Sequence, residues 1–518
     1  MAPPSGRGAS GSLASAEKWA DLPDFTKDLY LEHPFVGSGS EADAQAFRVS
    51  AGLVVRDAPS QANRAACPKP TTSFETCAFP KYITSQLRAL GFVSPTPVQA
   101  QAWPLLLSGR NLLAVAPTGS GKTLSYLLPA IVHCNAQRYL AKGDGPIVTI
   151  LAPTRELAMQ INDQCTQFGA SSRVKSVCVY GGADRDEQAK SLKNETLPEI
   201  VVATPGRLND LLAAKVTNLA SRCTFFVVDE ADRMLDLGFL PQIALVSNQI
   251  RPDRQTVLVT ATWPEAVRVA AAKLAPDAAT LQVASLENIR NNTSTSGDIT
   301  GVGVIPGDTA RIARGVSHSF TVLESNDHKY ERLVKILEDR LMEKNKNTSR
   351  VVAFCASKLT VDDTTRKLRK HGIPALAMHG DKTQTEREWV LERFRDGTSP
   401  VLLATDVAAR GLDVPGVTTV VNFDPPNSVN DYVHRVGRTG RAGVTHGCVA
   451  HTFLVRDSCS LRDLRLHKDL ADLFLANGLE VPLGLLELSV REQGISVGAR
   501  FAKRPKKEGT SGGRGVFG

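Results

Sequence analysis

The stretch Ala116-Pro117-Thr118-Gly119-Ser120-Gly121-Lys122-Thr123 has the residue types and spacing to wrap the phosphates of a nucleoside triphosphate. Its glycines let backbone N–H groups approach the phosphates, Lys122 can reach the β- and γ-phosphates, and the Thr123 hydroxyl can ligate Mg²⁺. Ala116 stands where the general pattern has its first glycine. Farther on, Val227-Val228-Asp229-Glu230 ends an apolar run in two carboxylates. Nucleotide hydrolysis uses such a pair twice over, Asp229 holding Mg²⁺ through water and Glu230 polarising the attacking water. A third cluster is His434-Arg435-Val436-Gly437-Arg438-Thr439-Gly440-Arg441. Arg438 and Arg441 lie three apart, so on a helix or tight turn they share a face and can meet the charge that builds on a γ-phosphoryl group. The bland alternatives are an ordinary Gly-rich turn, an acidic helix cap and a solvated basic face. The apolar run before the phosphate loop and the helical spacing after it weigh against the first, and the loop itself weighs against the second.

These groups need elements to hold them. Apolar, β-branched runs at 112–117, 147–153, 176–182, 199–205, 224–229 and 255–262 form one series, and 351–355, 375–380, 400–405, 418–424 and 447–454 form a second. Helical patterns at 155–168, 327–343, 358–371 and 384–396 lie between runs, and strands alternating with helices imply doubly wound parallel sheets. Between the series, 283–316 contains Asn291-Asn292-Thr293-Ser294-Thr295-Ser296-Gly297 and no sustained apolar period, which reads as a linker. The expected organisation is therefore α/β with two domains, 72–282 and 317–478, flanked by a largely flexible N-terminal extension, 1–71, and a C-terminal extension, 479–518, with a basic tail. In open α/β sheets ligands bind at the carboxyl ends of strands, and the polar clusters at 152–156, 203–207, 229–232, 260–262 and 404–406 fall there.

At 518 residues the chain is too long for one core. No run approaches the eighteen or more apolar residues of a membrane span, and the first residues lack a secretory layout, so an intracellular protein without membrane association is expected. Nine cysteines are scattered and never paired as C-x-x-C, which indicates neither a disulfide framework nor a zinc site. The formal charge of +8 is modest for this length, but it is unevenly placed. Residues 1–60 carry five Lys or Arg against eight Asp or Glu, whereas 499–518 carry six against one, including Lys503-Arg504-Pro505-Lys506-Lys507. That cluster suits an import signal, a nonspecific RNA tether or a solvated tail.

Taken together the motifs resemble those of the DEAD-box RNA helicases of superfamily two, with Asp229-Glu230-Ala231-Asp232 as the name-giving tetrad and the remaining motifs in family order from about 72 to 455. The resemblance implies two tandem RecA-like domains. It implies that Gln99, in Pro95-Thr96-Pro97-Val98-Gln99, recognises the adenine edge, that Phe74 stacks on that base, and that Asp413 takes the ATP ribose hydroxyls. It assigns Pro153, Thr154, Arg155, Gly182, Thr204, Gly206 and Arg207 in the first domain, and Phe354, Gly380, Gln384, Arg387 and Thr405 in the second, to an RNA path. Such residues suit phosphates and ribose rather than base edges, so the binding is expected to be independent of sequence. Asp232, Thr260, Thr262 and His434 are implied to couple the two sites; Thr260-Ala261-Thr262 replaces the family's usual Ser-Ala-Thr. The expected activity is RNA-stimulated hydrolysis of ATP with Mg²⁺, driving local unwinding of short duplexes or remodelling of ribonucleoproteins by a monomer open to protein activators. An ATP-gated RNA clamp and a DNA helicase are the competing readings. Trp263-Pro264 and Met378-His379-Gly380-Asp381-Lys382 resemble a subgroup with nucleolar helicases of ribosomal RNA precursors, implying a nuclear, nucleolar address with the cytoplasm as alternative.

Overall fold

The computed structural model describes residues 19, 22–56, 67–193, 197–283, 312, 315–342, 349–409, 414, 416–440, 447–456 and 461–491. Within the first half, the strands are β1 (Leu53–Arg56), β2 (Leu112–Val115), β3 (Val148–Leu151), β4 (Ser176–Val179), β5 (Ile200–Ala203), β6 (Phe225–Val228), β7 (Gln255–Thr260) and β8 (Ala279–Val283). They form one sheet in the order β1-β8-β2-β7-β6-β3-β5-β4, parallel except for β1, which runs antiparallel to β8. Strands β2, β3, β5, β6 and β7 are buried along their whole length, as a sheet covered by helices on both faces requires. Alternate residues feed two cores, one led by Tyr126, Trp103 and Phe225, the other by Phe226, Met234 and Leu208.

The second half repeats the plan with β9 (Val316–Leu323), β10 (Arg350–Phe354), β11 (Ala375–Met378), β12 (Val401–Ala404), β13 (Val417–Asn422) and β14 (Cys448–Val455), all parallel, ordered β11-β12-β10-β13-β14-β9. Two tandem α/β domains are thus present, and each expected run is a strand in the expected place. Among the described residues no helix is long and apolar enough to cross a membrane.

The extensions need correction. Residues 22–56, expected to be loose, fold onto the first domain. Leu29 N–H donates to Leu107 O at 2.6 Å, Phe25 sits edge-on to His133 under the Arg251 guanidinium, and helix Glu41–Ser50 opens with a Ser40–Asp43 capping box. Arg48 on that helix is buried, its Nε donating to Gln101 Oε1 at 2.9 Å. Gly52 at φ 69° then turns the chain into β1, which covers the β8 edge. The physical reason is edge protection: an unpaired β8 would expose its backbone groups. At the other end, helix Leu483–Arg491 buries Leu485 and Leu488 with Phe320 and Phe474, so the second domain runs past 478. The core of the expected linker, 284–311, and the basic tail lie outside the described residues.

Candidate functional site

The phosphate loop leaves β2 and enters helix Lys122–Asn135 through Gly121, a left-handed N-cap at φ 85°. Only glycine fits there, because a Cβ would also come within 2.5 Å of Gln99 Nε2. Gln99 itself is buried, its amide bridging Thr96 N–H (3.0 Å) and Gly121 O (3.1 Å), while Thr96 Oγ1 donates to Ser120 O at 2.8 Å. The glutamine implied to read the base therefore also fixes the loop that holds the phosphates. Lys122 Nζ folds back to donate to Ala116 O (2.6 Å) and Pro117 O (3.1 Å). Burial pushes its ammonium below the ordinary value, against the upward pull of Asp229, Asp232 and Glu230.

Strand β6 lies two places from β2, about 10 Å away at ordinary strand spacing. It delivers Asp229, whose Oδ2 accepts from Tyr126 Oη at 2.8 Å. Burial first, and the neighbouring Glu230 second, raise the Asp229 carboxyl to about 6. Glu230 is held at φ 48°, ψ 52°, a left-handed conformation costing a non-glycine residue roughly 1–2 kcal/mol. Such strain turns its side chain out of the strand line and into the cleft. Strand β7, between β2 and β6, supplies Thr260, whose Oγ1 donates to Thr262 O at 2.8 Å. Thr262 in turn donates twice to Asp232 Oδ2, from N at 2.9 Å and from Oγ1 at 2.6 Å. Burial works to raise the Asp232 carboxyl, but His434, Thr262 and Arg233 outweigh it and hold it below its ordinary value.

The second domain reaches this cleft through helix Val429–Val436, N-capped by Ser428. His434 Nε2 lies 3.3 Å from Asp232 Oδ2, and Arg438 Nη2 lies 3.9 Å from Glu230 Oε1. The four expected coupling residues are thus one connected group spanning both domains. Gly437 packs against the phosphate loop so closely that an added Cβ would overlap Thr118. Two interdomain ion pairs flank the contact: Arg233 with Asp431 at 2.6 Å and Arg387 with Glu156 at 2.8 Å, all four residues buried. Sequence reasoning missed Arg233, Asp431, Glu156 and Gly437. Arg233 follows the acidic tetrad directly, and Glu156 and Gly437 lie inside quoted clusters, but their contacts are remote in sequence, and Asp431 carried no signal.

Other expected site residues are placed as follows. The Arg155 guanidinium lies over Gly182, which has φ 87° and whose added Cβ would meet Nη1 at 2.5 Å. Pro153 is buried, Thr154 caps helix Arg155–Gly169, and Thr204 and the exposed Gly206 open helix Pro205–Ala213. Arg207 is steadied by Gln188 Oε1 (2.8 Å) and Ala183 O (3.1 Å). These residues collect at the carboxyl ends of β3, β4 and β5. In the second domain Gly380 is exposed, Gln384 opens helix Gln384–Arg395, and Thr405 follows β12. Three placements differ from expectation, and the first is Arg387, buried and taken up by its ion pair with Glu156 instead of lying open to RNA. Phe354 is 2% exposed beneath Arg435, whose guanidinium is 5.1 Å from its ring and bidentate to Asp406 at 2.6 and 2.7 Å. Phe354 supports that arginine from inside the core and presents no side-chain surface to RNA. Phe74, 3% exposed, packs against Trp103, so its ring is core material in this conformation. Asp413 and Arg441 lie outside the described residues.

A phosphate loop and two carboxylates on one sheet, met by an arginine from a second sheet, define a two-domain P-loop nucleoside triphosphatase. Residues 96–269 match the DEAD/DEAH box helicase family and residues 328–443 the helicase conserved C-terminal domain. The chain is 48% identical over 429 residues to the ATP-dependent RNA helicase DBP2 of Scheffersomyces stipitis, covering 83% of this chain and 74% of that protein. It is 43% identical over 502 residues to DBP2 of Saccharomyces cerevisiae, covering 97% and 83%. Among solved structures it is similar to S. cerevisiae Dbp5 bound to RNA and ADP BeF3 (27% identity, 80% and 99% covered, TM-score 0.63) and to Mss116p bound to ssRNA and AMP-PNP (25%, 79% and 78%, TM-score 0.65). This chain belongs to the DEAD-box family of ATP-dependent RNA helicases.

Proposed function

We propose that this protein couples ATP hydrolysis to local strand separation in RNA by closing its two domains over both ligands. The observation carrying this reading is the contact across the cleft: Gly437 against Thr118, Arg438 within 3.9 Å of Glu230, and Asp232 shared between Thr262 and His434. ATP lies between the loop 118–123 and Arg438. Lys122 exchanges its bonds to Ala116 O and Pro117 O for the β/γ-phosphates, and the 116–117 carbonyls are then free to turn away. Glu230 orients the attacking water and receives its proton, and Arg438 meets the charge on the γ-phosphoryl group. Through Asp232, a change at Thr262 is felt at His434 in the other domain.

The donor set fits magnesium. The Thr123 hydroxyl and the Asp229 carboxylate are hard oxygen ligands, and a cation that keeps several waters needs few protein groups besides phosphate oxygens. When bound, that ion neutralises phosphate charge. Among the described residues no group of three or more acidic, His or Cys side chains forms a separate metal cage.

RNA lies over Arg155, Gly182, Thr204, Gly206 and Arg207 in the first domain and over Gly380, Gln384 and Thr405 in the second, contacted through phosphate and ribose. Arg387 acts at a remove, its guanidinium engaged by Glu156. Because one closed form binds both ligands, RNA tightens ATP binding and ATP tightens RNA binding by the same factor. Measuring both couplings and the ATPase rate with and without RNA tests this; equal rates refute it. The buried pairs Arg233–Asp431 and Arg387–Glu156 also favour a second reading, a long-lived clamp, because each resists reopening. A strand-release assay on a short duplex separates the two: prompt ATP-dependent release indicates unwinding, persistent retention a clamp.

The finer assignments belong to the same proposal. The protein acts as a monomer tuned by protein activators, on structured RNAs such as ribosomal RNA precursors, and the cluster Lys503–Lys507 directs it to the nucleus. Their support is motif resemblance and basic composition. Crosslinked RNA identification and imaging of a fusion lacking 503–518 test them.

A further inference from the structure

Trp389 is the one exposed tryptophan among the described residues, with 51% of its surface open. It stands in a groove of about 770 Å³ between helices Lys358–Lys370 and Gln384–Arg395, also lined by Arg366, Arg369, Lys370 and Lys382. At 100° per residue, Trp389 and Arg387 point to opposite sides of their helix. Arg387 faces the first domain and Trp389 faces away from the cleft. The two sides are joined by the turn 380–384, which carries Gly380, Lys382 and Gln384.

An exposed indole among cations suits single-stranded nucleic acid, because every base has a face to stack while phosphates meet the charges. The cations are available. Among the described residues Lys370 has no hydrogen-bond or ion-pair partner, Lys382 stands 3.9 Å from Asp362, and Arg366 stands 3.7 Å from Asp363. Arg369 donates from Nε to Ala375 O at 2.8 Å, leaving its terminal nitrogens. The Arg393 guanidinium, 5.8 Å from the Trp389 ring centroid, braces the indole. Two carboxylates line the same groove. Glu386 is occupied by Thr383 N–H at 2.7 Å and Asp362 faces His379 at 3.1 Å, so the lining is four cations to two carboxylates. A solvated basic helix face would explain the cations but neither the open indole nor the groove's continuity with the turn at the cleft.

We propose that this groove is a second, sequence-tolerant site for single-stranded RNA, taking the part of a strand that leaves the cleft over Gly380 and Lys382. The proposal rests on the RNA-binding reading of the cleft. It makes the enzyme prefer substrates with a single-stranded flank, held while the cleft opens and closes on the neighbouring segment.

The test compares fluorescein-labelled oligouridylates of about 8 and about 20 nucleotides binding to the full chain with a nonhydrolysable ATP analogue. The short oligomer reports the cleft alone. The long one is expected to bind more tightly, and Trp389→Ala to weaken it by about 5- to 150-fold, the range of one stacked base, with the short one unchanged. Trp389→Phe should keep most of the increment, and Lys370→Ala should lower the salt slope of the long oligomer by about 0.7. Quenching of indole fluorescence in wild type by the long oligomer only, absent in Trp389→Phe, is the direct readout. The idea is overturned if Trp389→Ala leaves the length increment intact, or if wild type shows no increment while an acidic, aromatic-containing peptide quenches Trp389. Loss of short-oligomer binding by wild type would instead count against the cleft reading.

Discussion

Replacing Gly437 by alanine should separate folding from closure. The backbone there has φ −65°, ordinary for alanine, so the second domain gains rather than loses: about 0.4–1 kcal/mol from a less flexible unfolded chain, or a Tm rise of roughly 1–4 °C. Closure behaves oppositely. Across the cleft the new Cβ would lie 2.9 Å from Thr118 Cβ, where carbon–carbon contacts relax at about 3.5–4.0 Å, whereas its 3.1 Å contact with Val433 O lies within the second domain and is the same open or closed. Rotating Thr118 can swing its hydroxyl aside but cannot move its Cβ, so the surfaces must part by about 0.6–1 Å. A misplacement near 1 Å costs on the order of 100-fold in rate. RNA-stimulated ATPase of Gly437→Ala should therefore fall by about that factor, with RNA binding in the analogue-bound state weakened in parallel and no loss of Tm. Thr118→Gly removes the obstructing carbon, so the double variant should be no slower than Thr118→Gly alone, a strongly non-additive pair. Wild-type turnover by Gly437→Ala, or additive losses in the double variant, would refute the reasoning.

Lys122→Ala should abolish ATP turnover while leaving far-ultraviolet circular dichroism unchanged; retained turnover would remove the phosphate loop from the chemistry. Arg233→Ala strands the buried Asp431 carboxylate. With Asp431 partly hydrated, about 2 kcal/mol of closed-state stability is expected to go, seen as roughly 30-fold weaker RNA binding with a nonhydrolysable analogue but unchanged ATP-free binding. Acid should destabilise both domains through buried histidines. Burial lowers His133 from 6.5 to about 3, and lowers His318 and His451 to about 4. Each group's folded pKa is depressed, so its contribution is present above pH 6.5 and is lost as pH falls toward 3–4, by up to about 5 kcal/mol for His133. His133→Phe should flatten the Tm profile of the first domain between pH 6.5 and 4; an unchanged slope would exonerate the residue. Deleting residues 1–56 uncovers β8 and removes buried Val36, Ala44 and Leu53, so a loss of at least 3 kcal/mol, or about 6–12 °C in the first domain's Tm, is expected by calorimetry.

The strands that hold the chemistry were legible because each is a short, fully buried run ending in a polar cluster, as at Phe225–Val228 before Asp229-Glu230. Strand β9 was not, since Val316–Leu323 alternates polar and apolar at a sheet edge and abuts a Gly-rich stretch. Nor was β1, four residues behind a polar helix, whose strand state exists only because β8 needs a neighbour. At the site, local motifs were readable, and Arg438, expected to face the nucleotide, does lie at Glu230. What the sequence did not show was the role of Arg435, which Asp406, nearly thirty positions away, draws inward. The buried pairs of Arg233 and Arg387 bridge the domains, and nothing local announces a partner two hundred residues off.

Strands from opposite ends of each segment meet: β1 zips to β8, and β9 runs beside β14 for eight residues. A growing chain therefore cannot finish its first domain until about 283 residues have left the ribosome. At 5–20 residues per second, the 168 residues from the end of β2 at Val115 to the end of β8 at Val283 take roughly 8–34 s to make, and for that time the apolar strand β2 stands without its β8 neighbour. Each module is latched only once its own end has been made, so the amino-terminal part should depend on chaperones during synthesis more than the finished enzyme does afterwards.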